Sequence, residues 1–342
     1  MEGAPIWRIL DEYGELVEHE VESYFRSKRA ETRYDAVIAH VYDTLEAYVV
    51  RDGTRLASCI AIMVYRGYTH QLDTRIVKVA AGFELYRHAI LIHDDIIDRD
   101  ELRRGGPALH TLLGSRSTSS GESSGLVAGN LLYALALDCI RRAGYEENLR
   151  CEALSLVNEA YRAVNESQLL DLQFEDAEPD EAAWYRMAKN RAGSLFRAAT
   201  RIGAILGNAP ASDEPILIKA AEELSYALDI RDDIMGTFGT EAEYGRKPVG
   251  DLLRFKKPLQ LIYTLRNAPA SAVKDLETMI RAEDFDGARA VIRMYGLERA
   301  KERARAHALN SLTLLEETEL RRETIEFFRD FIQYVMGTLN RY

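Results

Sequence analysis

Two clusters of aspartates have the spacing of a metal-binding site. The first, Asp94-Asp95-Ile96-Ile97-Asp98, ends the segment FELYRHAILIHDDIID, whose apolar residues recur at helical spacing without an interrupting proline. Because residues four apart lie one above the other on a helix, Asp94 and Asp98 are expected on one face. Two such carboxylates repel each other unless a cation lies between them, and hard oxygen ligands suit Mg²⁺ beside a substrate phosphate. A solvated acidic helix end is the alternative, and the apolar flanks argue against it.

The second cluster repeats this arrangement further along the chain. Asp229, Asp232 and Asp233 stand at positions i, i+3 and i+4 of another apolar helical segment, so they too are expected on one face. Together, the two clusters could hold several Mg²⁺ ions around one diphosphate.

Basic residues follow each cluster. Arg103 and Arg104 come shortly after the first cluster, in the segment RRGGP, and Arg246 and Lys256 follow the second. Paired guanidinium groups donate bidentate hydrogen bonds to diphosphate oxygens, which a lysine matches only as a point charge. The glycines and proline after Arg104 predict a turn that takes the backbone out of the helix. The order of acidic cluster, arginine pair, acidic cluster and basic loop predicts a site that stabilises a leaving pyrophosphate.

Helices must position these residues, because apolar side chains recur at helical spacing through almost the whole chain. Leu154, Val157 and Ala160 are one example, and clean two-residue alternation is rare. We therefore predict an all-α protein formed by a single domain over residues 1–342. The stretch GSRSTSSGESSG at 114–125 is the exception, because serine and glycine at that density predict a surface loop.

The composition excludes several classes of function. A formal net charge of −11 argues against a general binder of nucleic acid or of anionic membranes. The N-terminus lacks a basic region followed by an apolar run, and no eighteen uncharged apolar residues occur in succession. Cys59, Cys139 and Cys151 show no metal-binding spacing and are predicted to be reduced core residues. We expect a soluble, cytoplasmic protein without a nucleic-acid partner or an integral membrane segment.

Three segments carry a family pattern: DDIIDRDELRRGGPALH, GSLFRAATRIGAILG and DIRDDIMGTFGTEAEYGRKPVGDLLRFKK. From roughly residue 30 to residue 265 the chain resembles the trans-isoprenyl diphosphate synthases, or polyprenyl synthetases, and most of all the archaeal-type geranylgeranyl and farnesyl diphosphate synthases. The resemblance implies the isoprenoid synthase fold, a bundle of long antiparallel helices around a central cavity, usually as a homodimer. It also implies that three Mg²⁺ ions draw pyrophosphate from an allylic prenyl diphosphate, whose cation is then attacked by isopentenyl diphosphate.

The resemblance assigns roles to individual residues. The residues implied to bind metal are Asp94, Asp98 and Asp232, and helical spacing adds Asp229 and Asp233 as candidate metal ligands. The residues implied to surround the allylic diphosphate are Arg103, Arg191, Arg246 and Lys256. The implied catalytic set is Asp94, Asp98, Asp232, Arg103 and Lys256. Gln168 is implied to line the cavity near the cation. Departures from the family pattern occur at Arg191 and Arg246, where lysine is usual, at Gly236, where an aspartate is usual, and at Asp229, where glutamine is usual.

The segment for isopentenyl diphosphate departs further from the family pattern. Where the family has Gly-Lys-Arg-x-Arg-Pro, this chain has GTRLAS, with Thr54 and Ala57 in place of two expected cations. Arg87 replaces a usual histidine, and together with Arg55 and Arg104 it could still bind one diphosphate. Chain elongation is the leading hypothesis. The alternatives are a class I terpene cyclase, a prenyltransferase to another acceptor, and an inactive partner subunit that keeps the fold.

The helix that leads into the first cluster would form the cavity wall along the prenyl tail. One helical turn rises about 5.4 Å, close to one isoprene unit, so successive turns act as ruler marks. Ala89 is small enough to let a C15 tail pass, whereas Tyr86 and Phe83, one and two turns deeper, are large enough to stop it. The predicted product lies between C20 and C30, with C20 or C25 preferred. The alternative is that both rings are ordinary core aromatics.

Overall fold

The computed structural model describes residues 5–31, 35–51, 53–114, 117–174, 177–241, 248–254 and 256–342. The chain divides into two compact units. The first comprises Met1–Asn158, Ala198–Ala211 and Glu319–Thr324, and the second comprises Glu159–Arg197, Ser212–Thr318 and Ile325–Tyr342. Helices make up most of the described residues, so the predicted all-α class is confirmed. A single domain over the whole chain stays a prediction.

The first unit is built around a set of helices that lie wholly within it: α1 (Pro5–Glu31), α2 (Ala36–Val49), α3 (Leu56–Tyr68), α4 (Thr74–Ile97), α5 (Leu109–Leu113) and α6 (Thr118–Arg141). Other helices have residues in both units: α7 (Glu147–Gln173), α9 (Ala192–Leu206) and α16 (Arg322–Leu339).

Helix α4 runs through the core of the first unit. It begins after Asp73, whose carboxylate accepts a hydrogen bond from the backbone N–H of Arg75 at 2.8 Å and so caps the helix. Most of its side chains are buried, and it packs along α6, α1 and α3. Gly82 allows the close approach to α6, because a Cβ there would lie 2.9 Å from the carbonyl oxygen of Ala136. The predicted helix through Asp94 is confirmed.

The serine- and glycine-rich stretch is mostly helical, so the predicted loop at 114–125 is wrong where α6 begins. The Ser117 hydroxyl caps α6 by accepting a hydrogen bond from a backbone N–H of the first turn at 3.2 Å. Gly125 packs closely, since a Cβ there would lie 2.9 Å from Cβ of His110 and 3.0 Å from Cδ1 of Ile96. Tertiary packing thus overrides the low helix propensity of glycine, which costs about 1 kcal/mol per residue.

Among the described helices, only α6 has the length and apolarity to cross a membrane, with a mean hydropathy of 1.4. This is weak evidence for a membrane span, because the core helix of a soluble protein meets the same criterion. Helix α4 covers one side of α6, and 44% of the apolar stretch is buried.

The cysteine prediction is confirmed for Cys59 and Cys139, which are buried and unpaired. It is wrong for Cys151, which is exposed. Helix α7 is amphipathic, and Cys151 stands on its solvent side, where helical spacing alone did not place it.

A short hairpin follows α4 and positions the arginine pair. Strands β1 (Leu102–Arg103) and β2 (Gly106–Pro107) pair antiparallel. The two residues between them both have positive φ, 52° at Arg104 and 70° at Gly105, as in the type I′ turns that suit such hairpins. The predicted turn is therefore confirmed. It places Arg104 in the left-handed region that residues other than glycine seldom adopt.

The second unit contains the remaining elements: α8 (Glu181–Ala188), α10 (Glu214–Phe238), α11 (Gly250–Leu253), α12 (Leu259–Asn267), α13 (Ala270–Arg281), α14 (Phe285–Ile292), a π-helix (Arg293–Leu297) and α15 (Glu298–Glu316). Helix α10 packs along α15. Pro215 stands in its first turn, where the missing N–H is not needed. The helix then continues unbroken through Asp229 and Asp233, as the apolar spacing predicts.

Candidate active site

The first aspartate cluster lies at the C-terminal end of α4. Asp94 and Asp95 occupy its last turn, and Asp98 caps it by donating its backbone N–H to the carbonyl oxygen of Asp94 at 2.7 Å. Asp94 is partly exposed, whereas the side chains of Asp95 and Asp98 are buried. Asp94 and Asp98 therefore stand one helical turn apart, which is the spacing that the sequence predicts.

Arg103 contacts the carboxylates of this cluster directly. Its Nε donates to Oδ1 of Asp95 at 2.6 Å, and its Nη2 donates to Oδ2 of Asp94 at 3.3 Å. The Tyr48 hydroxyl donates to the other oxygen of Asp95 at 2.9 Å. Burial raises the pKa of Asp95 to about 6, although Arg103 and Tyr48 act in the opposite direction. Asp95 thus links α2 and the hairpin to the end of α4.

A second charged cluster lies earlier on α4, around Glu84, which is fully buried. The Ser58 hydroxyl donates to Oε2 of Glu84 at 2.8 Å, and the guanidinium groups of Arg87 and Arg104 lie 3.9 and 3.7 Å from Oε1. Burial alone would raise the pKa of Glu84, but His88, whose Nδ1 lies 3.4 Å from Oε1, together with the two arginines and the Ser58 hydroxyl, outweighs it and lowers this pKa to about 2. Glu84 therefore brings together two of the three arginines that the sequence suggests for isopentenyl diphosphate.

Arg55, the third of those arginines, is bonded inside the first unit. Its Nη2 donates to Oε2 of Glu18 at 2.8 Å and to the carbonyl oxygen of Val50 at 3.2 Å. Its Nη1 donates to the carbonyl oxygen of Gly53 at 3.0 Å. Arg55 is buried and has a φ of 42° at the start of α3. The hydrogen bonds of Arg55 thus stabilise the loop before α3. Arg87 and Arg104, by contrast, lie beside Glu84.

In the second unit, carboxylates surround Arg191. Its Nε lies 3.3 Å from Oδ2 of Asp229, its Nη2 lies 3.3 Å from Oδ2 of Asp233, and its Nη1 lies 3.9 Å from Oδ1 of Asp171. Nζ of Lys256 lies 3.1 Å from the other oxygen of Asp171. Burial and mutual repulsion raise the pKa of Asp229 to about 6 and that of Asp233 to about 7, against the effect of Arg191. Ion pairs through Arg191 and Asp171 therefore connect four predicted site residues: Arg191, Asp229, Asp233 and Lys256.

The other predicted residues of this unit are placed differently. Asp232 is about half exposed and accepts hydrogen bonds from Nε and Nη2 of Arg231 at 2.9 and 2.6 Å. Gln168 lies on α7 three residues before Asp171, and its Nε2 is buried with no hydrogen-bond partner among the described residues. A bound ligand could accept a hydrogen bond from this Nε2 group. Arg246 lies outside the described residues.

The carboxylates of the two aspartate clusters have the chemistry of Mg²⁺ ligands, since Mg²⁺ prefers oxygen donors and carboxylates above all. Repulsion among Asp171, Asp229 and Asp233 would be relieved by a bound divalent cation. Among the described residues, no group of three or more potential ligands is already arranged around one point. Arg103 and Arg191 contact the carboxylates instead, so bound metal would replace part of those contacts.

The residues predicted to limit product length are all buried in the first unit. Ala89, Tyr86 and Phe83 are at most 1% exposed. The rings of Phe83 and Tyr86 pack with centroids 5.4 Å apart, and Tyr86 packs against Tyr133 of α6 at 6.1 Å. The Tyr133 hydroxyl donates to Oδ1 of Asn158 at 3.2 Å. The rings form one aromatic layer between α4 and α6, and its effect on product length stays a prediction.

Motif spacing does not identify Tyr48, Glu84 or His88, which pack behind the arginines of the first unit. Glu84 does carry a signal, because it is a lone acidic residue in the apolar run VAAGFELY. A buried charge of this kind requires a partner. Tyr48 carries no comparable signal, since it stands 47 residues before its partner Asp95 in the chain.

Comparison with known proteins identifies the family. A family model described as polyprenyl synthetase matches residues 38–297, which is well over half of the chain. The chain belongs to the polyprenyl synthetase family. The resemblance to the trans-isoprenyl diphosphate synthases is thereby confirmed, and this polyprenyl synthetase family member is an enzyme of the trans-prenyltransferase class.

Individual relatives agree with this assignment. The geranylfarnesyl diphosphate synthase of Aeropyrum pernix is 30% identical, over 77% of this chain and 83% of the relative. The geranylgeranyl diphosphate synthase of Saccharolobus solfataricus is 29% identical, over 74% and 76%. A solved geranylgeranyl pyrophosphate synthase from Corynebacterium glutamicum, complexed with isoprenyl diphosphate and magnesium, matches with a TM-score of 0.87 at 21% identity, over 96% of this chain and 99% of that one. This likeness confirms the predicted isoprenoid synthase fold.

Proposed function

We propose that this polyprenyl synthetase condenses isopentenyl diphosphate with an allylic prenyl diphosphate and releases a longer all-trans prenyl diphosphate. The predicted product range is C20 to C30, with C20 or C25 preferred. Relatives named as geranylgeranyl and geranylfarnesyl diphosphate synthases support products of this size. The observation that carries the proposal is the excess of arginine over carboxylate around Glu84.

Two guanidinium groups share one carboxylate in that cluster. Arg87 and Arg104 both approach Oε1 of Glu84, so the group has a net positive charge. Both arginine side chains remain partly exposed, at 28% and 15%. A partly exposed pair of guanidiniums with spare charge suits a diphosphate, whose oxygens accept bidentate hydrogen bonds. A cyclase, which takes a single diphosphate substrate, has no need of this second anion site.

The allylic diphosphate would be bound through the aspartate clusters. Asp94 and Asp98 in the first unit, and Asp229, Asp232 and Asp233 in the second, would hold Mg²⁺, which we expect at three ions per site. Bound Mg²⁺ would supply positive charge for the diphosphate as it leaves. Arg103, Arg191 and Lys256 carry cationic donors, and they would bind diphosphate oxygens once metal engages the carboxylates.

Product length is proposed to depend on the aromatic layer of the first unit. Tyr86 and Phe83 lie on α4 below Ala89, and Tyr133 closes the layer from α6. Replacing Tyr86 by alanine would open space toward the next turn, so the Tyr86→Ala enzyme should make a product longer by one or more C5 units. The same product length from Tyr86→Ala and wild type would show that these rings are core aromatics only.

A homodimer in the cytoplasm completes the proposal, and it is supported by the family resemblance. Sedimentation equilibrium of the purified chain, whose monomer mass is 38.7 kDa, would measure the oligomeric state. A monomer at micromolar concentration would contradict the homodimer.

The decisive experiment is incubation with Mg²⁺ and farnesyl diphosphate, with and without radiolabelled isopentenyl diphosphate. Label in a longer prenyl diphosphate is the expected result, and chromatography gives its length. Unlabelled hydrocarbon or alcohol in both tubes would identify a terpene cyclase instead. No turnover in either tube would point to an inactive partner subunit or to another acceptor. Asp94→Asn is the matched control, because it should remove both elongation and ionisation.

A further inference from the structure

His88 is bonded on both sides of its ring within the Glu84 cluster. It lies on α4 one turn after Glu84 and is fully buried. Its Nε2 lies 3.0 Å from Nη1 of Arg104, and its Nδ1 lies 2.9 Å from the backbone carbonyl oxygen of Glu84. A guanidinium can only donate, so Nε2 accepts, and the ring proton stands on Nδ1 and is donated to the carbonyl. His88 is therefore a neutral ring in one fixed tautomer.

The surroundings keep this ring neutral. Burial, followed by the positive charges of Arg104 and Arg87, lowers the pKa of His88 to about 3, in spite of the nearby Glu84 carboxylate. A protonated ring would have no lone pair at Nε2 and would face Arg104 with like charge. The hydrogen bond to Arg104 therefore persists throughout the neutral pH range.

Arg104 is confined from several directions. Its backbone has the left-handed φ of the hairpin turn. Nη1 lies 3.4 Å from the carbonyl oxygen of Arg51 as well as within reach of His88. Gly53 stands against the guanidinium, because a Cβ there would lie 2.7 Å from Cζ. Both hydrogens of Nη1 are thus used, and Nη2, 3.7 Å from Glu84, faces the side of the cluster that Arg87 shares.

We propose that His88 is a positioning residue for isopentenyl diphosphate, and that it acts by fixing the guanidinium plane of Arg104. The neutral ring accepts from Nη1, which would leave Nη2, 3.7 Å from Glu84, to donate to a diphosphate beside Arg87. An arginine that is already ordered loses less side-chain entropy on binding and binds its anion more tightly. The site has lost cations at Thr54 and Ala57, so each remaining arginine carries more of the binding. This inference rests on the proposed function, which takes Arg87 and Arg104 as diphosphate ligands.

The first test is calorimetric titration of isopentenyl diphosphate into the metal-free protein, so that only side-chain cations bind it. His88→Leu removes the acceptor and should weaken binding about 10-fold, the scale of one hydrogen bond to a charged group. His88→Gln places an amide oxygen near the position of Nε2 and should stay within about 3-fold of wild type. Equal losses in the two variants, or none in either, would overturn the inference.

A double-mutant cycle then separates positioning from packing. If His88 acts through Arg104, His88→Leu should add less than about 2-fold to the loss already caused by Arg104→Ala. If His88→Leu still weakened binding about 10-fold in the Arg104→Ala background, His88 would act independently of Arg104. The matched control is His307→Leu in the second unit, which removes a histidine bonded to Glu223 and Tyr185. That variant should bind isopentenyl diphosphate as wild type does.

Steady-state kinetics distinguish a positioning role of His88 from a purely structural one, because a structural defect would not change KM for isopentenyl diphosphate alone. His88→Leu should raise KM for isopentenyl diphosphate about 10-fold and leave kcat and KM for the allylic substrate within about 3-fold. A wild-type protein that cyclises farnesyl diphosphate, yet binds inorganic pyrophosphate in a His88-dependent way, would defeat the proposed function and support the positioning role. A wild-type protein that binds neither isopentenyl diphosphate nor pyrophosphate without metal would overturn the positioning role itself.

Discussion

Two buried clusters of acids and arginines differ in the state of their carboxylates. In the first unit, Glu84 is fully buried beside Arg87 and Arg104, and its pKa is lowered to about 2. In the second unit, Asp233 lies beside Arg191 with its side chain 13% exposed, and its pKa is raised to about 7. Burial pushes both pKa values upward, so burial does not explain the difference.

The balance of charge explains it. One carboxylate in the first unit is shared by two guanidiniums, so positive charge is in excess. Among the described residues of the second unit, Asp171, Asp229 and Asp233 share Arg191 and Lys256, so three carboxylates face two cations there. A cluster with spare positive charge suits an anion, and one with spare negative charge suits a cation. The comparison shows that the ratio of carboxylates to cationic side chains decides whether a cluster suits an anion or a cation.

The largest expected effect comes from removing metal. With excess EDTA, elongation should fall by at least about 1000-fold, because the carboxylate-rich cluster loses its cations. Binding of isopentenyl diphosphate to the arginine-rich cluster around Glu84 should stay within about 3-fold. Radiometric product assays and calorimetry, each repeated after Mg²⁺ is restored, measure the two effects. If turnover and the binding of isopentenyl diphosphate both fell to a similar extent, the proposed separate roles of the two clusters would be contradicted.

A single carboxylate of the second cluster should matter nearly as much for turnover. Asp233→Asn should lower kcat by about 100-fold, the scale seen when one group that stabilises developing charge is removed. KM for isopentenyl diphosphate should change less than about 2-fold. The control is Asp286→Asn, an aspartate of the same unit whose side chain is 96% exposed. A rise in KM without loss of kcat would contradict a metal-binding role for Asp233.

The same kind of substitution should have opposite effects on stability in the two clusters. Glu84→Gln should lower the free energy of unfolding by about 3 kcal/mol, because it leaves the partly buried Arg87 and Arg104 without their counter-charge. Asp233→Asn should raise that free energy by about 1 kcal/mol in the metal-free protein, because it relieves repulsion between carboxylates. Urea denaturation without metal measures both. Destabilisation of similar size in the two variants would refute the charge-balance explanation.

The smallest expected effect is a difference in pH dependence. Asp229 and Asp233 have folded pKa values of about 6 and about 7, above their ordinary value of 3.8. The folded state therefore binds more protons than the unfolded state in this range, and this contribution to stability is present below pH 4 and lost as pH rises toward 7. Asp233→Asn should flatten the decline between pH 4 and pH 7 by about 1 kcal/mol.

Glu84 should behave in the opposite way over a different range. Its folded pKa of about 2 lies below the ordinary 4.5, so its contribution is present above pH 4.5 and lost as pH falls toward 2. Urea midpoints of wild type, Asp233→Asn and Glu84→Gln, measured from pH 3 to pH 8, distinguish the two. Curves that run parallel across this range would show that neither group is perturbed as described.

Local features of the chain were predictable from sequence. The helix that ends in the first aspartate cluster, the helix through Asp229 and Asp233, and the turn after Arg104 all follow from periodicity, spacing and turn residues within a few positions. These are short-range rules, and they are sufficient because helices and turns form by local hydrogen bonds and sterics. The family pattern could be read from the same local motifs.

Contacts between distant segments were decided only by the tertiary structure. The segment before Gly125 is helical because close packing against His110 outweighs its composition. Arg55 forms an ion pair with Glu18, and Arg191 is surrounded by carboxylates from α7 and α10. The sequence by itself determined which charged groups exist and which helices carry them. Their charge states depended on partners many residues away, because burial and the ratio of neighbouring charges arise only when the chain is folded.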